Sequence, residues 1–201
     1  MRNLAIAVSL VRLLPHLSVL HFAPNRGTIR VDLARWQDGA SGDELSGGAL
    51  IWAFARTMTL APEFRNLFYY RVRRFSVFWS FVLRPICRPM PTLLVCTDTI
   101  GPGLFIQHGF GTIITARSIG SDCWINQQVT VGFVDDTEPP IIGDRVHICV
   151  GARVLGDITL GDDVIVGANA VVVRDVPPRC VVAGVPARII RRDGESVDAA
   201  L

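Results

Sequence analysis

Residues Ile142–Pro177 read IGDRVH-ICVGAR-VLGDIT-LGDDVI-VGANAV-VVRDVP. Each six opens on an aliphatic residue: Ile142, Ile148, Val154, Leu160, Val166 and Val172. The fifth place is small or branched throughout, from Val146 to Val176. A period of six fits neither an α-helix nor an alternating strand. It is the signature of a solenoid of short strands, in which the first side chain of each six points inward and stacks on its equivalent one coil away. Glycine and Asp/Asn suit the corners, where some residues need positive φ.

The same phase extends backward. Residues 100–111 read IGPGLF-IQHGFG, Thr112 is one extra residue, and IITARS, IGSDCW and INQQVT follow from Ile113, Ile119 and Ile125. Val131 opens another six and runs into the loop Gly132–Ile141, GFVDDTEPPI. Three sixes make one triangular coil, so the twelve starts predict about four coils. The expected fold class is mainly β: a parallel β-helix preceded by an α-helical N-terminal region. The expected division is 1–91 helical, 92–178 solenoid, and 179–201 a C-terminal cap and tail.

Half of the 201 residues are hydrophobic, enough for a sizeable core. A net charge of +2 argues against a dedicated nucleic-acid binder. All 20 basic residues are Arg. The five cysteines are odd in number and contain no CxxC, which suits free thiols in a reducing cytoplasm. No zinc-ligand spacing is present, so no metal is expected. The apolar run Leu4–Leu14 is too short for a membrane span.

In the N-terminal part, Leu4, Val8, Val11 and Leu14 predict the apolar face of a helix over residues 1–20. A second helix is expected over Thr28–Trp36. Ser41 and Glu44 fit a capping box for a third over Ala49–Leu60, carrying Ile51, Trp52 and Phe54. Pro62 suits a helix start, and Phe64, Leu67, Phe68 and Tyr70/Arg71 give that helix an aromatic face. Phe75–Leu83 continues it, and three prolines in Arg84–Pro91 mark an extended linker. Pro62–Pro91 holds six Arg and one Glu among aromatics. Such a stripe normally packs on its own protein with its arginines in solvent. Contact with a membrane surface or an anionic acceptor is the other reading. At the far end, Val181, Val182, Ile189 and Ile190 are expected to cover the last coil, and a frayed tail is expected from Asp193.

The repeat also serves as a ruler. It puts His108 in a column with Gln127, Val150 and Ala168 of the following coils, roughly 4.8 Å apart. Gly151, Gly167 and Ala168 would leave backbone amides open for a long, thin ligand. A histidine beside such a groove suits a general base. His147 reads as a plain exterior residue, and His16 and His21 carry no signal. The loop from Gly132 carries Asp135, Asp136 and Glu138.

LFIQHGFGTIITARSIG, INQQVTVG, VGARVLGDITLGDDVIVGANAVVVRDVPP and AGVPARII together resemble the hexapeptide-repeat acyltransferases, and most nearly the serine acetyltransferase group. The resemblance covers about residues 100–190. The short helical part with EFRNLFYYR looks like the forms linked to surface-polysaccharide synthesis. The resemblance implies a left-handed β-helix, a homotrimer, and acetyl-CoA as co-substrate held between neighbouring subunits. It implies His108 as catalytic base and backbone N–H groups near Gly132 for the oxyanion. It places Val150, Gly151, Gly167 and Ala168 along coenzyme A, and Arg188 at its phosphates. The family has Asp where this chain has Gln107, and a second His where it has Glu138. Gln107 cannot supply a carboxylate to a serine ammonium.

The expected function is therefore acetyl transfer from acetyl-CoA to an acceptor hydroxyl, of a saccharide first. Gln107 and Gln127 would bind the acceptor, and Glu138 would act beside His108. Serine O-acetyl transfer for cysteine synthesis is the alternative, and a non-catalytic trimeric scaffold is a further one. The expected location is cytoplasmic, with residues 62–91 as the part that would touch the inner face of a membrane.

Overall fold

The computed structural model describes residues 2–37, 46–135 and 138–201. The Ser41–Glu44 capping box and Asp136 lie outside the described residues, as does the side chain of Leu4. Two compact units divide the chain, 1–91 and 92–201.

The second unit is a parallel β-solenoid of three sheets. The first sheet stacks β1 (Leu93–Val95), β4 (Thr112–Ile114), β7 (Thr130–Gly132), β10 (Arg153–Leu155) and β13 (Val171–Val172). The second stacks β2 (Thr99–Ile100), β5 (Ser118–Ile119), β8 (Ile141–Ile142) and β11 (Thr159–Leu160). The third stacks β3 (Phe105–Ile106), β6 (Trp124–Ile125), β9 (His147–Ile148) and β12 (Ile165–Val166). It continues into β14 (Cys180–Gly184), β15 (Ala187–Arg192) and β16 (Glu195–Ala200). These strands make about five turns rather than four, because β1 begins a coil ahead of Ile100 and β14 closes one after Val172.

Eleven of the twelve predicted starts are buried, among them Ile106, Ile125, Ile148 and Val166. Ile113 is the exception. It is 44% exposed, while Ile114 is fully buried and pairs with Val131. The inward position therefore runs from Ile106 to Ile114, a step of eight. Two extra residues stand at that corner, and the next inward step, Ile114 to Ile119, is one short, so the coil from Ile106 to Ile125 carries the one extra residue expected, placed differently.

Past the last coil, β15 folds back antiparallel on β14, and β16 antiparallel on β15. Val182 and Ile189 are buried in this cap, but Ile190 is 43% exposed and Val181 only half-buried. The segment expected to fray forms β16. Arg179 pairs with Asp193 at its base, and Arg188 with Asp198 along it.

The helical unit holds α1 (Arg2–Phe22), α2 (Arg26–Arg35), α3 (Gly47–Leu60), α4 (Pro62–Arg73) and α5 (Val77–Leu83). The face predicted for α1 is wrong. Val8, Val11 and Leu14 are 68%, 74% and 59% exposed, while Ile6, Leu13, Val19 and Leu20 are buried together with Ser9 and His16. The inward side is the longer stripe Ile6, Leu10, Leu13, Leu17 and Leu20, and the polar residues on that side find partners on other helices. Ser9 bonds Thr59 at 2.9 Å, and His16 Nε2 bonds the Tyr69 hydroxyl at 2.9 Å. The Tyr69 hydroxyl donates in turn to the Cys87 carbonyl at 2.6 Å. Burial lowers the His16 pKa to about 4 and raises that of Tyr69. His16, which carried no signal in the sequence, is thus a buried part of this core.

In α4 the buried aromatics are Phe64, Phe68 and Tyr69, not Tyr70. Arg71 lies inside as well, with its Nε 2.8 Å from Asp32 Oδ2 and its Nη2 3.2 Å from Oδ1. In α3, Ile51 and Trp52 are exposed, and Phe54 and Met58 fill the core. α5 is a separate helix, started by the Ser76 hydroxyl accepting from the Trp79 N–H.

Candidate active site

The two extra residues of the winding decide where His108 stands. From the upstream side, Ile106 pairs with Ile125, and the Gln107 N–H donates to the Ile125 carbonyl at 2.9 Å. From the downstream side, the Gln128 N–H donates to the Phe110 carbonyl at 3.0 Å. The same bond recurs one coil on, from Gly151 to Gln127 and from Asn169 to Val150. Phe110 therefore occupies the column of Gln127, Val150 and Ala168, where the ruler had put His108. His108 and Gly109 form the surplus, bulged out of the corner between the third and first sheets.

His108 has φ 64°, a left-handed conformation that few non-glycine residues adopt. Its side chain is exposed, and its ring makes no hydrogen bond among the described residues. The Phe110 N–H donates to the His108 carbonyl at 2.6 Å and closes the bulge. The fold thus presents an imidazole to solvent on a fixed turn, the arrangement a general base needs toward an incoming hydroxyl.

Beside it, a polar chain crosses three coils. His147 Nε2 lies 2.9 Å from Asn126 Oδ1, and Asn126 Nδ2 donates to Gln107 Oε1 at 2.9 Å. The side-chain oxygen of Gln107, the residue before His108, is thus held by Asn126. His147 stacks on Trp124, centroids 4.3 Å apart and planes at 11°, and Trp124 meets Phe105 edge-on. Burial lowers the His147 pKa. His147 is therefore half-buried and networked, not a plain exterior residue. The signal was available: Phe105, Trp124 and His147 each directly precede an inward isoleucine, so alignment of the coils stacks them.

Gln127 Oε1 is buried without a partner among the described residues, one coil from the bulge, as is Trp124 Nε1. Val150 and Ala168 continue that column. The open amides expected there are largely in use. Gly151 N–H bonds Gln127, and Gly167 N–H bonds the Val182 carbonyl at 2.8 Å. Gly151 must be glycine in any case, because φ is +71° and a Cβ would lie 2.1 Å from Asn169 Oδ1. Gly132 ends β7 with open space where its Cβ would stand. Arg188 is half-exposed, and its Nε bonds Asp198 at 2.9 Å. It borders a cleft of about 260 Å³ with Arg174, whose Nη1 donates to the Leu201 carbonyl.

Glu138 is not brought to His108 within one chain. It stands on the loop between β7 and β8, at the corner between the first and second sheets. There Arg117 lies 3.9 Å away, and Arg117 also pairs with Asp157 at 3.0 Å. The residues that fit a thin acyl carrier are Gly132, Val150 and Ala168, which are small or open. Arg188 bonds Asp198 through Nε, which leaves its Nη donors for the carrier's anionic end.

Comparison with known proteins follows the same lines. Residues 139–174 match the family of bacterial transferase hexapeptides (six repeats). The serine acetyltransferase of Synechococcus elongatus is 43% identical over 103 residues, 49% of this chain and 42% of that protein. The match thus spans less than half the length of this curated relative. The crystal structure of serine acetyltransferase from Brucella abortus superposes with a TM-score of 0.66 at 23% identity, over 92% of this chain and 75% of that one, which shows the shared fold. The soybean serine acetyltransferase apoenzyme is 30% identical with a TM-score of 0.55, over 82% of this chain and 68% of that one. By its repeats, its solenoid and these likenesses, the chain belongs to the hexapeptide-repeat transferases and is serine acetyltransferase-like.

Proposed function

We propose that this protein is an acetyl-CoA-dependent O-acetyltransferase with His108 as general base. The observation that carries the reading is the exposed imidazole on a two-residue bulge, within a solenoid similar to serine acetyltransferases. His108 takes the proton of an acceptor hydroxyl, and the oxygen attacks the thioester carbonyl. The acetyl group passes to the hydroxyl and the thiol leaves. Gly132, Val150, Gly151, Gly167 and Ala168 flank the pantetheine arm, and Arg188 takes a phosphate on its Nη donors. His108 and Glu138 occupy different corners, so a site that uses both is formed between copies, in line with a homotrimer. Five free cysteines suit a cytoplasmic location.

L-Serine is the first acceptor to test, because the relatives are named for it. This reverses the order reached from the sequence, where a saccharide stood first; the comparisons do not support a polysaccharide role. A saccharide hydroxyl remains the second reading on one observation. Gln107, whose side-chain oxygen accepts from Asn126, is neutral and gives an ammonium no carboxylate, while its N–H groups can donate to hydroxyl oxygens.

The test is coenzyme A release from acetyl-CoA with L-serine and then a saccharide panel, beside His108→Ala. Turnover should fall by about 10² to 10⁴ in the variant, the usual worth of a general base. Near-normal turnover would remove His108 from the role. Silence on every acceptor, without coenzyme A binding, would leave a scaffold.

A further inference from the structure

The helical unit and the solenoid carry opposite charge. Residues 1–91 hold twelve Arg against five acidic residues, a net +7, and residues 92–201 hold eight Arg against thirteen, a net −5. The basic unit also exposes a concentrated apolar surface. In α5, Val77, Phe78 and Phe81 are 70%, 66% and 78% exposed, and Trp79 is 42% exposed. Trp79 and Phe22 of α1, itself 76% exposed, border one cleft of about 190 Å³, so the patch continues onto α1.

Charge surrounds this patch on one side of the ledger. Arg73 and Arg74 precede α5, Arg84 and Arg88 follow it, and all four are exposed. None pairs with a carboxylate among the described residues. From Phe64 to Thr97 the sequence has no acidic residue at all. An exposed apolar, aromatic helix flanked in sequence by exposed arginines matches the boundary between acyl chains and anionic headgroups. A symmetric contact with a second copy would instead bring the flanking arginines together, which like-charge repulsion opposes. No single described helix is long and apolar enough to cross a membrane.

We propose that α5, with the end of α1, docks the protein on an anionic lipid surface, with Phe78 and Phe81 entering the headgroup region and Arg73, Arg74, Arg84 and Arg88 holding phosphates. The aromatic stripe of α4 has the ordinary fate and is buried; α5 carries the contact. This inference is independent of acyl transfer.

Flotation of the full chain with vesicles tests it, using mixed phosphatidylglycerol–phosphatidylcholine and phosphatidylcholine alone. Binding is expected to the mixed vesicles, to weaken with added salt, and to shift Trp79 emission to the blue. Arg73→Gln with Arg84→Gln should weaken it by about fivefold for each arginine. Phe78→Ser with Phe81→Ser should weaken it by roughly tenfold or more. The four positions are exposed, so an unchanged circular dichroism spectrum is the control for folding. The proposal fails if the protein does not float, if it binds neutral vesicles equally, or if neither variant changes binding. It also fails if light scattering shows that the Phe78/Phe81 variant loses an oligomer, since a second copy would then cover the patch.

Discussion

Inside the solenoid the side chains are stacked aliphatics, and the buried polar residues described there are Thr97 and Thr112. Inside the helical unit lie Ser9, His16, Asp32, Thr57, Tyr69 and Arg71. The first interior asks only that each six supply an aliphatic at one place, because the neighbour is always the equivalent residue one coil away. The second depends on particular pairs far apart in sequence, such as Asp32 with Arg71 and His16 with Tyr69. A repeated interior spreads its dependence over many equal contacts, while a unique interior concentrates it in a few.

Substitution at Asp32 should have the largest effect on this contrast. Asp32→Ala leaves the Arg71 guanidinium buried without its carboxylate and should cost about 3–5 kcal/mol. Denaturant melting should show the loss in the helical unit, with β-sheet dichroism unmoved. Equal loss in both units would mean that they fold as one.

Acid should act on the same unit to a lesser degree. The folded His16 pKa of about 4 lies below its ordinary value near 6.5, so the unfolded chain takes up the proton first. Stability is then complete above about pH 6.5 and falls as pH drops toward 4, by up to about 3 kcal/mol. Melting temperature measured across that range should show the slope, and His16→Gln should flatten it.

The smallest effect belongs to the solenoid. Ile148→Val removes one methylene from a column of equivalents and should cost about 0.5–1.5 kcal/mol. A cost as large as that at Asp32 would erase the distinction between the two interiors.

The same contrast explains what the sequence could tell. The inward column was legible from Ile119 to Val172, since every coil repeats the rule. It slipped at Ile113 because the corner gains two residues and the following side gives one back, and periodicity alone cannot divide a net surplus of one in this way when both Ile113 and Ile114 are aliphatic. The slip moved His108 into the wrong column, so that groove no longer supports it, and its candidacy as a base rests on the family resemblance and on its exposure at the bulge. Gln127 and Val150 were nameable from spacing and Gln107 from the family resemblance, while the bond that orients Gln107 was not, because it needs Asn126 from another coil. In α1 the helical period was read correctly but the buried side was not. Val8, Val11 and Leu14 are the shorter stripe; Ile6, Leu10, Leu13, Leu17 and Leu20 repeat at the same spacing on the other side, and that longer stripe is the one that packs into the core.

The bulge at His108–Gly109 has a consequence for how such a chain can change. Elsewhere in β structure a single inserted residue reverses every side chain beyond it. Here the bonds from Gln107 and to Phe110 close on either side of the surplus, Ile114 pairs with Val131, and after one shortened step the repeat is resumed at Ile119. The corners therefore act as frames that absorb insertions without passing an error along the winding. Chemistry can be added, lengthened or exchanged at one corner while the rest of the protein keeps its count.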